Sequence, residues 1–233
     1  NTGEVRALVT YPSYDNNRLT NVMDSDYYNS LRKDLSSPFV NRVTQENLAP
    51  GSTFKPITAI AGLEEGVITP STTIYASGVF TEITPSPTCW IFNQYGGHHG
   101  NETVTTAIRD SCNVFFYEVG YRLAGGRSAS GYNVEAGLTK LEKYARMFGL
   151  GDKSGLEISE YEPRISDTDA VRSAIGQGTN SYSLYHIARY VATLANRGNC
   201  YDLTLLDKLT ETDGTLIQEY EPALHNQVQI ADS

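Results

Sequence analysis

The chain of 233 residues is long enough to bury a substantial core, and it carries 18 basic against 27 acidic residues, a net charge of −9. Nucleic-acid phosphates and anionic membrane surfaces would repel such a chain, which argues against both as partners. Its longest apolar runs, such as ITAIAGL, are far shorter than the roughly 20 residues of a membrane span, and the first residues show no signal peptide.

The first 45 residues predict a short extended segment and then a polar surface excursion. Residues 5–10 have strand-like composition and are followed by Pro12, so we expect an extended segment or an edge strand that leads into a loop. Residues 13–45 are polar and rich in tyrosine, which is typical of a segment on the surface.

Helices dominate the prediction between residues 50 and 200. The first helix begins at Ser52 and ends at Gly66, with apolar residues at helical spacing. Extended structure and turns are predicted for residues 68–90, and GQG at 176–178 is expected to form a tight turn. The other helical stretches are 101–126, interrupted around Asp110 and Ser111, then 134–151 and 181–198.

Ser52 and Lys55 are candidates for a nucleophile and its base. A serine hydroxyl needs a base to take its proton, and a lysine can serve if burial lowers its pKa. Their spacing of three puts both side chains on one face of a helix. The same pattern recurs at Ser30 and Lys33 in a polar run, so the spacing alone fits a chance pair equally well. Only Ser52 follows Pro-Gly at the start of an apolar helix.

The segment SCN is the only Ser-x-Asn in the chain, and an apolar stretch follows it directly. Beside Ser52, the Ser111 hydroxyl could relay a proton between Lys55 and a leaving amine, and Asn113 could hydrogen-bond a substrate amide. The alternative is a serine that caps a helix and an asparagine in a turn.

Metal ligands are concentrated in CWIFNQYGGHHG, where Cys89, His98 and His99 lie within 11 residues and glycines flank the histidines. Thiolate and imidazole are ligands that zinc prefers, so we predict a candidate structural zinc site with Asp110, Glu102 or water as the fourth ligand. The alternative is a loop with two histidines and a buried cysteine. Adjacent histidines point to opposite sides of an extended chain, so both bind only if the glycines allow a tight turn.

The cysteines Cys89, Cys112 and Cys200 are odd in number, which argues against a disulfide framework. One bridge is arithmetically allowed, and spacing does not choose the pair. His186 lies inside the fourth helical stretch, where we expect it to pack in the interior rather than act as a base.

Five separated segments, taken in order, resemble the transpeptidase domain of class B penicillin-binding proteins. They are APGSTFKP, SCN, FGLGDKSGLEISE, AIGQG and ATLANRG, and VTYPSYDNN precedes them. The resemblance covers nearly the whole chain. It implies an α+β fold of the penicillin-binding, β-lactamase-like type, with a first strand region at 1–20, a mainly helical subdomain at 50–200 and an extended tail at 201–233.

The resemblance also implies an acyl-serine enzyme that cross-links the D-Ala-D-Ala stem peptides of peptidoglycan. Ser52 would attack the penultimate carbonyl and Lys55 would accept its proton, while Ser111 and Asn113 would form the second motif and Asn113 would also bind substrate. β-Lactams would acylate Ser52 instead. Catalysis would need no cofactor. The enzyme would work at the extracytoplasmic face of a bacterial cell membrane, with its anchor outside this chain.

The third motif of that family, Lys-Thr-Gly or Lys-Ser-Gly, is expected downstream of ANRG. Lys153-Ser154-Gly155 matches it literally but lies upstream of AIGQG, so we reject it as the catalytic motif. We expect 1–233 to be an incomplete domain without this motif and the C-terminal strands. A second fragment that carries the motif is then a candidate partner, and this polypeptide alone is expected to acylate poorly.

Two alternative functions remain open at this point. A D,D-carboxypeptidase or a β-lactamase of the same fold would need water to reach the acyl-enzyme, and no clear deacylating glutamate is visible. A non-catalytic β-lactam sensor or scaffold would retain the fold and lose turnover. The presence of Ser52, Lys55, Ser111 and Asn113 together argues against decay of the site, but is compatible with a sensor.

Overall fold

The computed structural model describes residues 2–230, and nine helices form most of its regular structure. Two short 3₁₀ turns accompany them, at Asn16–Leu19 and Gly51–Phe54. The helices are α1 (Ser25–Lys33), α2 (Arg42–Gln45), α3 (Lys55–Glu64), α4 (Trp90–Tyr95), α5 (Val104–Arg109), α6 (Asn113–Leu123), α7 (Val134–Met147), α8 (Ala170–Ser173) and α9 (Leu184–Ala195).

Six short strands pair into three separate two-stranded antiparallel sheets within the described residues, so the predicted mixture of helices and antiparallel strands is confirmed. Strand β1 pairs with β2, β3 with β6, and β4 with β5. The strands are β1 (Ile74–Ala76), β2 (Gly100–Glu102), β3 (Asn199–Tyr201), β4 (Lys208–Thr210), β5 (Leu216–Glu219) and β6 (Leu224–Gln227).

Helices α3 and α6 form the centre of the core, with α7 and α8 packed around them. The apolar spacing that predicted the first helix buries Ile57 and Ala61 completely, and α6 buries Phe115 and Phe116 completely. Each large side chain that leaves water in this way stabilises the fold by about 1.5–3 kcal/mol. Gly120 lets α6 approach α8, because a Cβ there would lie 2.7 Å from the Ala174 methyl group.

The helical predictions are confirmed with shorter bounds. The stretch 101–126 is interrupted where expected and divides into α5 and α6, while its first two residues belong to strand β2 instead. The stretch 134–151 contains α7, and 181–198 contains α9. In the first helical stretch, Ser52 lies in the 3₁₀ turn, and Gly66 follows the helix end with a φ of 66°.

The N-terminal segment 5–10 is not part of a named strand, so the expected edge strand is not formed there. Glu4 makes a single parallel bridge with Thr204, and the Val5 N–H donates to the Thr204 carbonyl at 2.9 Å. A strand requires a continuous ladder with a neighbour, and here the contact ends after one bridge. Residues 13–45 are mostly exposed as predicted, although they include α1 and α2.

The last part of the chain, predicted as an extended tail, contains short strand pairs. Strands β4 and β5 form a hairpin in which every residue is exposed. Strand β3 leads directly out of the α9 region and pairs with β6, which ties the tail to the helical core. Within residues 2–230, none of the helices combines the length and apolar character that crossing a membrane would require.

Candidate active site

Ser52 and Lys55 lie at the junction of the 3₁₀ turn Gly51–Phe54 and helix α3. Ser52 is exposed, whereas Lys55 is buried with 2 % of its surface exposed. The Lys55 N–H donates to the Ser52 carbonyl, so the turn passes into the helix without a break. A solvent-facing hydroxyl and a buried amine therefore lie one turn apart.

Ser111 lies in the break between α5 and α6 and has a left-handed backbone, with a φ of 50°. The Ser111 N–H donates to the Ile108 carbonyl at 3.2 Å, and the Cys112 N–H donates to the Ala107 carbonyl at 2.9 Å. These two bonds form a Schellman motif, in which glycine usually occupies the position held by Ser111. A residue other than glycine in this conformation costs free energy, and such strain concentrates at functional sites.

The ammonium group of Lys55 connects the first helix to this break. Its Nζ donates to the Ser111 carbonyl at 2.7 Å, to Ser111 Oγ at 2.9 Å and to Asn113 Oδ1 at 2.7 Å. Ser111 Oγ in turn donates to Ser52 Oγ at 2.9 Å. The four residues singled out from the sequence therefore form one hydrogen-bonded chain, with Ser111 between the serine and the lysine.

Burial changes the protonation of Lys55. Removal from water disfavours the ammonium form and lowers the pKa of Lys55 to about 8, although Cys89 and Cys112 nearby oppose this shift. Near neutral pH, a measurable fraction of Lys55 is therefore an uncharged amine that can accept a proton.

The turn of AIGQG fixes the position of the 3₁₀ turn that carries Ser52. The Gly51 N–H donates to the Gly176 carbonyl at 3.1 Å, and Gly176 has a φ of 72°. A Cβ at Gly176 would lie 2.3 Å from the Gly51 carbonyl oxygen, so only glycine fits this approach. Helix α3 is also held by Thr58, whose hydroxyl donates to the Ala174 carbonyl at 2.7 Å.

The two other motif matches in the sequence, Lys153-Ser154-Gly155 and Ser30 with Lys33, make local contacts of another kind. Ser154 is buried and donates to Glu160 at 2.9 Å, while Lys153 pairs with Glu162 at 2.9 Å. Ser30 is exposed and donates to the Tyr27 carbonyl at 2.7 Å within α1. In the part of the chain that the structure describes, neither serine hydroxyl bonds to the lysine of its own motif.

A second group of side chains lies beside the break. Cys89 Sγ, Cys112 Sγ and one ring nitrogen of His99 all lie within 4.8 Å of one another, and both cysteines are fully buried. The sequence did not predict Cys112 as a member. The only available signal was its place between Ser111 and Asn113, because the pairing depends on the fold.

His98 is not part of this group, contrary to the predicted set Cys89, His98 and His99. It is exposed, and its ring lies 5.7 Å from the ring of Tyr75, centroid to centroid. Adjacent side chains leave an extended chain on opposite sides, so His99 points inward while His98 points out. The glycines do not produce the turn that would bring both histidines together.

The two thiols influence each other's charge. The hydrogen bond from Cys112 is the largest of the effects that hold the pKa of Cys89 well below its usual range, and the Asn113 N–H also donates to Cys89 Sγ, at 3.3 Å. The pKa of Cys112 is raised by the same hydrogen bond and by burial, and also by the nearby Glu102 carboxylate. Glu102 is itself buried, and its Oε2 has no hydrogen-bond partner among the described residues.

Comparisons with known proteins all find transpeptidases of the penicillin-binding protein type. Residues 1–233 match the family described as "Penicillin binding protein transpeptidase domain". A peptidoglycan D,D-transpeptidase MrdA of Haemophilus influenzae is 29% identical over 235 residues, which covers 94% of this chain and 33% of that protein. A peptidoglycan D,D-transpeptidase PbpA of Mycolicibacterium smegmatis is 30% identical over 233 residues, which covers 95% of this chain and 44% of that protein.

Solved structures show the same likeness. An imipenem acyl-enzyme complex of penicillin-binding protein A from M. tuberculosis superposes with a TM-score of 0.84 at 25% identity, covering 98% of this chain and 51% of that one. The chain thus spans between a third and about half of the length of these relatives.

Proposed function

Since the chain belongs to the penicillin-binding protein transpeptidase domain family, we propose that it contributes the reacting serine and its base to a peptidoglycan D,D-transpeptidase. Its substrates would be stem peptides that end in D-Ala-D-Ala, and it would act on the extracytoplasmic side of a bacterial cell membrane. The observation that carries the proposal is the hydrogen-bonded chain from Ser52 through Ser111 to Lys55.

In the proposed acylation, Ser52 Oγ attacks the penultimate D-Ala carbonyl while its proton passes through Ser111 Oγ to the neutral amine of Lys55. The peptide bond then breaks, and the leaving amine of the terminal D-Ala takes the proton back along the same route. Both hydrogen bonds of this route are 2.9 Å, which is within reach for proton transfer. In the structure they donate from Lys55 to Ser111 and from Ser111 to Ser52, and both reverse direction when Lys55 is the neutral amine. Ser52 is left as an ester with the donor peptide.

The acyl-enzyme is resolved when the amine of a neighbouring stem peptide attacks the ester carbonyl and Ser52 regains its proton. A β-lactam follows the first half of this path, except that the leaving amine stays attached to the opened ring and does not diffuse away. Asn113 has its Oδ1 committed to Lys55. Its amide NH₂ is the group that we propose to hydrogen-bond the substrate.

The proposal is tested by incubation with a fluorescent penicillin, followed by peptide mapping. We expect one covalent adduct on Ser52, however slowly it accumulates, and none in Ser52→Ala. Slow turnover of that adduct favours a transpeptidase, whereas rapid release would favour a β-lactamase. Labelling at any other residue would contradict the proposal. Ser30→Ala is the matched control, because Ser30 has the same motif spacing in the exposed helix α1.

We also propose a structural zinc site at Cys89, His99 and Cys112, with Glu102 as the fourth ligand. Tetrahedral zinc separates its ligand atoms by about 3.3–3.8 Å, so small side-chain rotations would close the three-residue group of Cys89, His99 and Cys112. The Glu102 carboxylate lies outside that group and would have to move toward it. The unpartnered buried oxygen of Glu102 is what a fourth ligand supplies. Such an ion would brace the break that holds Ser111 and would take no part in the acyl transfer.

Elemental analysis of protein purified without chelators tests the site. We expect about one zinc per chain in the wild type and in Cys200→Ala, with clear loss in Cys112→Ala and Glu102→Gln. Chelation should also lower the melting temperature. The absence of zinc from the wild type, or full occupancy in both ligand variants, would overturn this assignment.

A further inference from the structure

Trp90 reaches from α4 to the break that carries Ser111. Its indole N–H donates to the backbone carbonyl of Asp110, with 3.2 Å between Nε1 and the oxygen. The indole meets the ring of His99 edge to face, with 5.7 Å between the ring centroids. An indole N–H can only donate a hydrogen bond, and Trp90 is the single tryptophan of the chain. This bond therefore connects α4 to the residue immediately before Ser111.

The peptide group between Asp110 and Ser111 is hydrogen-bonded at both of its ends. It is planar, so the Asp110 carbonyl and the Ser111 N–H turn together. Trp90 donates to the carbonyl, and the N–H donates to the Ile108 carbonyl at 3.2 Å. The φ of Ser111, 50°, describes how the rest of this residue is turned relative to that plane. Two hydrogen bonds thus hold a backbone angle that is unfavourable for a serine.

The other side of Ser111 is held by Lys55. Lys55 Nζ donates to the Ser111 carbonyl at 2.7 Å, and Ser111 Oγ lies 2.9 Å both from that Nζ and from Ser52 Oγ. The position of the hydroxyl therefore depends on the two peptide planes that flank Ser111. Trp90 holds the first of these planes, and Lys55 holds the second.

We propose that Trp90 is a positioning residue for the acylation of Ser52. Its N–H holds the peptide group before Ser111, which keeps the Ser111 hydroxyl within hydrogen-bonding distance of both the nucleophile and the base. This role rests on the proposed function. Without the bond, the peptide group would shift toward a less strained φ, and the hydroxyl would leave the route of the proton. Asp110 is only half-buried, so water can replace the indole at its carbonyl and the fold should survive the loss.

The first measurement asks whether the hydrogen bond exists in solution. In a ¹H–¹⁵N spectrum, the single tryptophan gives a single indole N–H signal, whose exchange with solvent can be followed. We expect this exchange to be at least about tenfold slower than in N-acetyltryptophanamide, because a bonded N–H must open before it exchanges. Exchange as fast as in that free compound would overturn the inference.

The second measurement compares Trp90→Phe with the wild type, both metal-free so that the proposed zinc site does not contribute. Phenylalanine keeps an aromatic ring and loses the N–H. The rate of labelling by a fluorescent penicillin is measured against its concentration. We expect the limiting rate to fall about fivefold, the effect of one net hydrogen bond, with an unchanged half-saturating concentration. An unchanged limiting rate would overturn the inference, and a raised half-saturating concentration with it would make Trp90 a contact of the ligand instead.

A double-variant cycle shows whether Trp90 acts through the Ser111 hydroxyl. In Ser111→Ala that hydroxyl is absent, so adding Trp90→Phe should change the remaining labelling rate by less than about twofold. Intact mass over long incubations follows these slow reactions. The same loss in both backgrounds would mean that Trp90 acts on the structure in general, and the inference fails. If Ser111→Ala takes no penicillin, the split between limiting rate and half-saturating concentration decides.

Phe92→Leu is the matched control. Phe92 lies on the same helix, is 39 % exposed like Trp90, and has no hydrogen-bonding group in its side chain. We expect this variant to label like the wild type, and a loss equal to that of Trp90→Phe would overturn the assignment. If the wild type takes no penicillin, the proposed function fails, and the exchange of the indole N–H alone decides whether the bond to Asp110 stands.

Discussion

At the scale of single residues, Lys55 exchanges hydration for three hydrogen bonds. Its Nζ donates to two oxygens of Ser111 and to Asn113, and burial still lowers its pKa to about 8. The hydrogen bonds explain how a buried lysine is tolerated, and the lowered pKa explains how it can act as a base.

The rate of acylation is therefore predicted to depend on pH through Lys55. The folded-state pKa is lowered, so the neutral amine increases about tenfold per pH unit below pH 8 and levels off above it. Labelling by fluorescent penicillin from about pH 6 to about pH 9.5 should show this rise, after correction for hydrolysis of the reagent. Lys55→Arg should show no such limb, because arginine stays protonated. A flat profile for the wild type would contradict the assignment of Lys55 as the base.

Ser111 combines a chemical role with a backbone position that suits glycine. We predict that Ser111→Gly is more stable than Ser111→Ala by about 1 kcal/mol, because both lose the hydroxyl and only the alanine keeps the left-handed strain. Both variants should lose most of the acylation rate. Urea unfolding and penicillin labelling measure the two effects. If the alanine variant is as stable as the glycine variant, Ser111 is not strained.

At the scale of elements, the site is assembled by contacts between segments far apart in sequence. Leu48 bridges to Tyr182, and the turn at Gly176 meets the 3₁₀ turn that carries Ser52. The order of the motifs along the chain is visible in the sequence. Their packing against one another depends on hydrogen bonds between backbones, which leave no pattern in the side chains.

The close approach at Gly176 gives a test of that packing. Gly176→Ala should destabilise the fold by about 2–4 kcal/mol, since a left-handed alanine costs about 1–2 kcal/mol and the contact with Gly51 adds a comparable amount. Acylation of Ser52 should fall as well. Gly214→Ala is the matched control, because Gly214 has a φ of 91° with open space around it. Equal losses of stability and equal labelling in the two variants would show that the contact between Gly176 and Gly51 does not hold the site.

Some features of the fold were predictable from the sequence and others were not. The break between α5 and α6 was predictable from the polar residues inside an apolar helix, and the region of Ser52 was predictable from its apolar spacing. The group of Cys89, His99 and Cys112 was only partly predictable. His99 was distinguishable from His98 only once the direction of the chain was known, and Cys112 joins through a contact across 23 positions.

At the scale of the whole molecule, a buried histidine links stability to pH. His186 lies in α9 with none of its surface exposed, and burial lowers its pKa to about 4 from the ordinary value of 6.5. Glu160, Glu162 and Arg189 are the charged groups that act on it. The packing role that we expected for His186 agrees with this position.

The unfolded state binds a proton at His186 more readily than the folded state, so stability should fall as the pH drops from about 6.5 toward 4. The loss attributable to this one residue is up to about 3 kcal/mol. Urea unfolding at several pH values should show a shallower decline of stability for His186→Phe than for the wild type. Because both proteins share the same carboxylates, the comparison cancels their contribution. Parallel declines would mean that His186 does not titrate as described.

The central claim is that Ser52 is a nucleophile activated through Ser111 and Lys55. The most direct test is the intact mass of the protein before and after penicillin, with peptide mapping of the product, for the wild type and for Ser52→Ala and Lys55→Met. We expect the mass of the wild type to increase by one penicillin located on Ser52, and the mass of neither variant to increase. A wild type without any adduct, or an adduct that persists in Ser52→Ala, would contradict it.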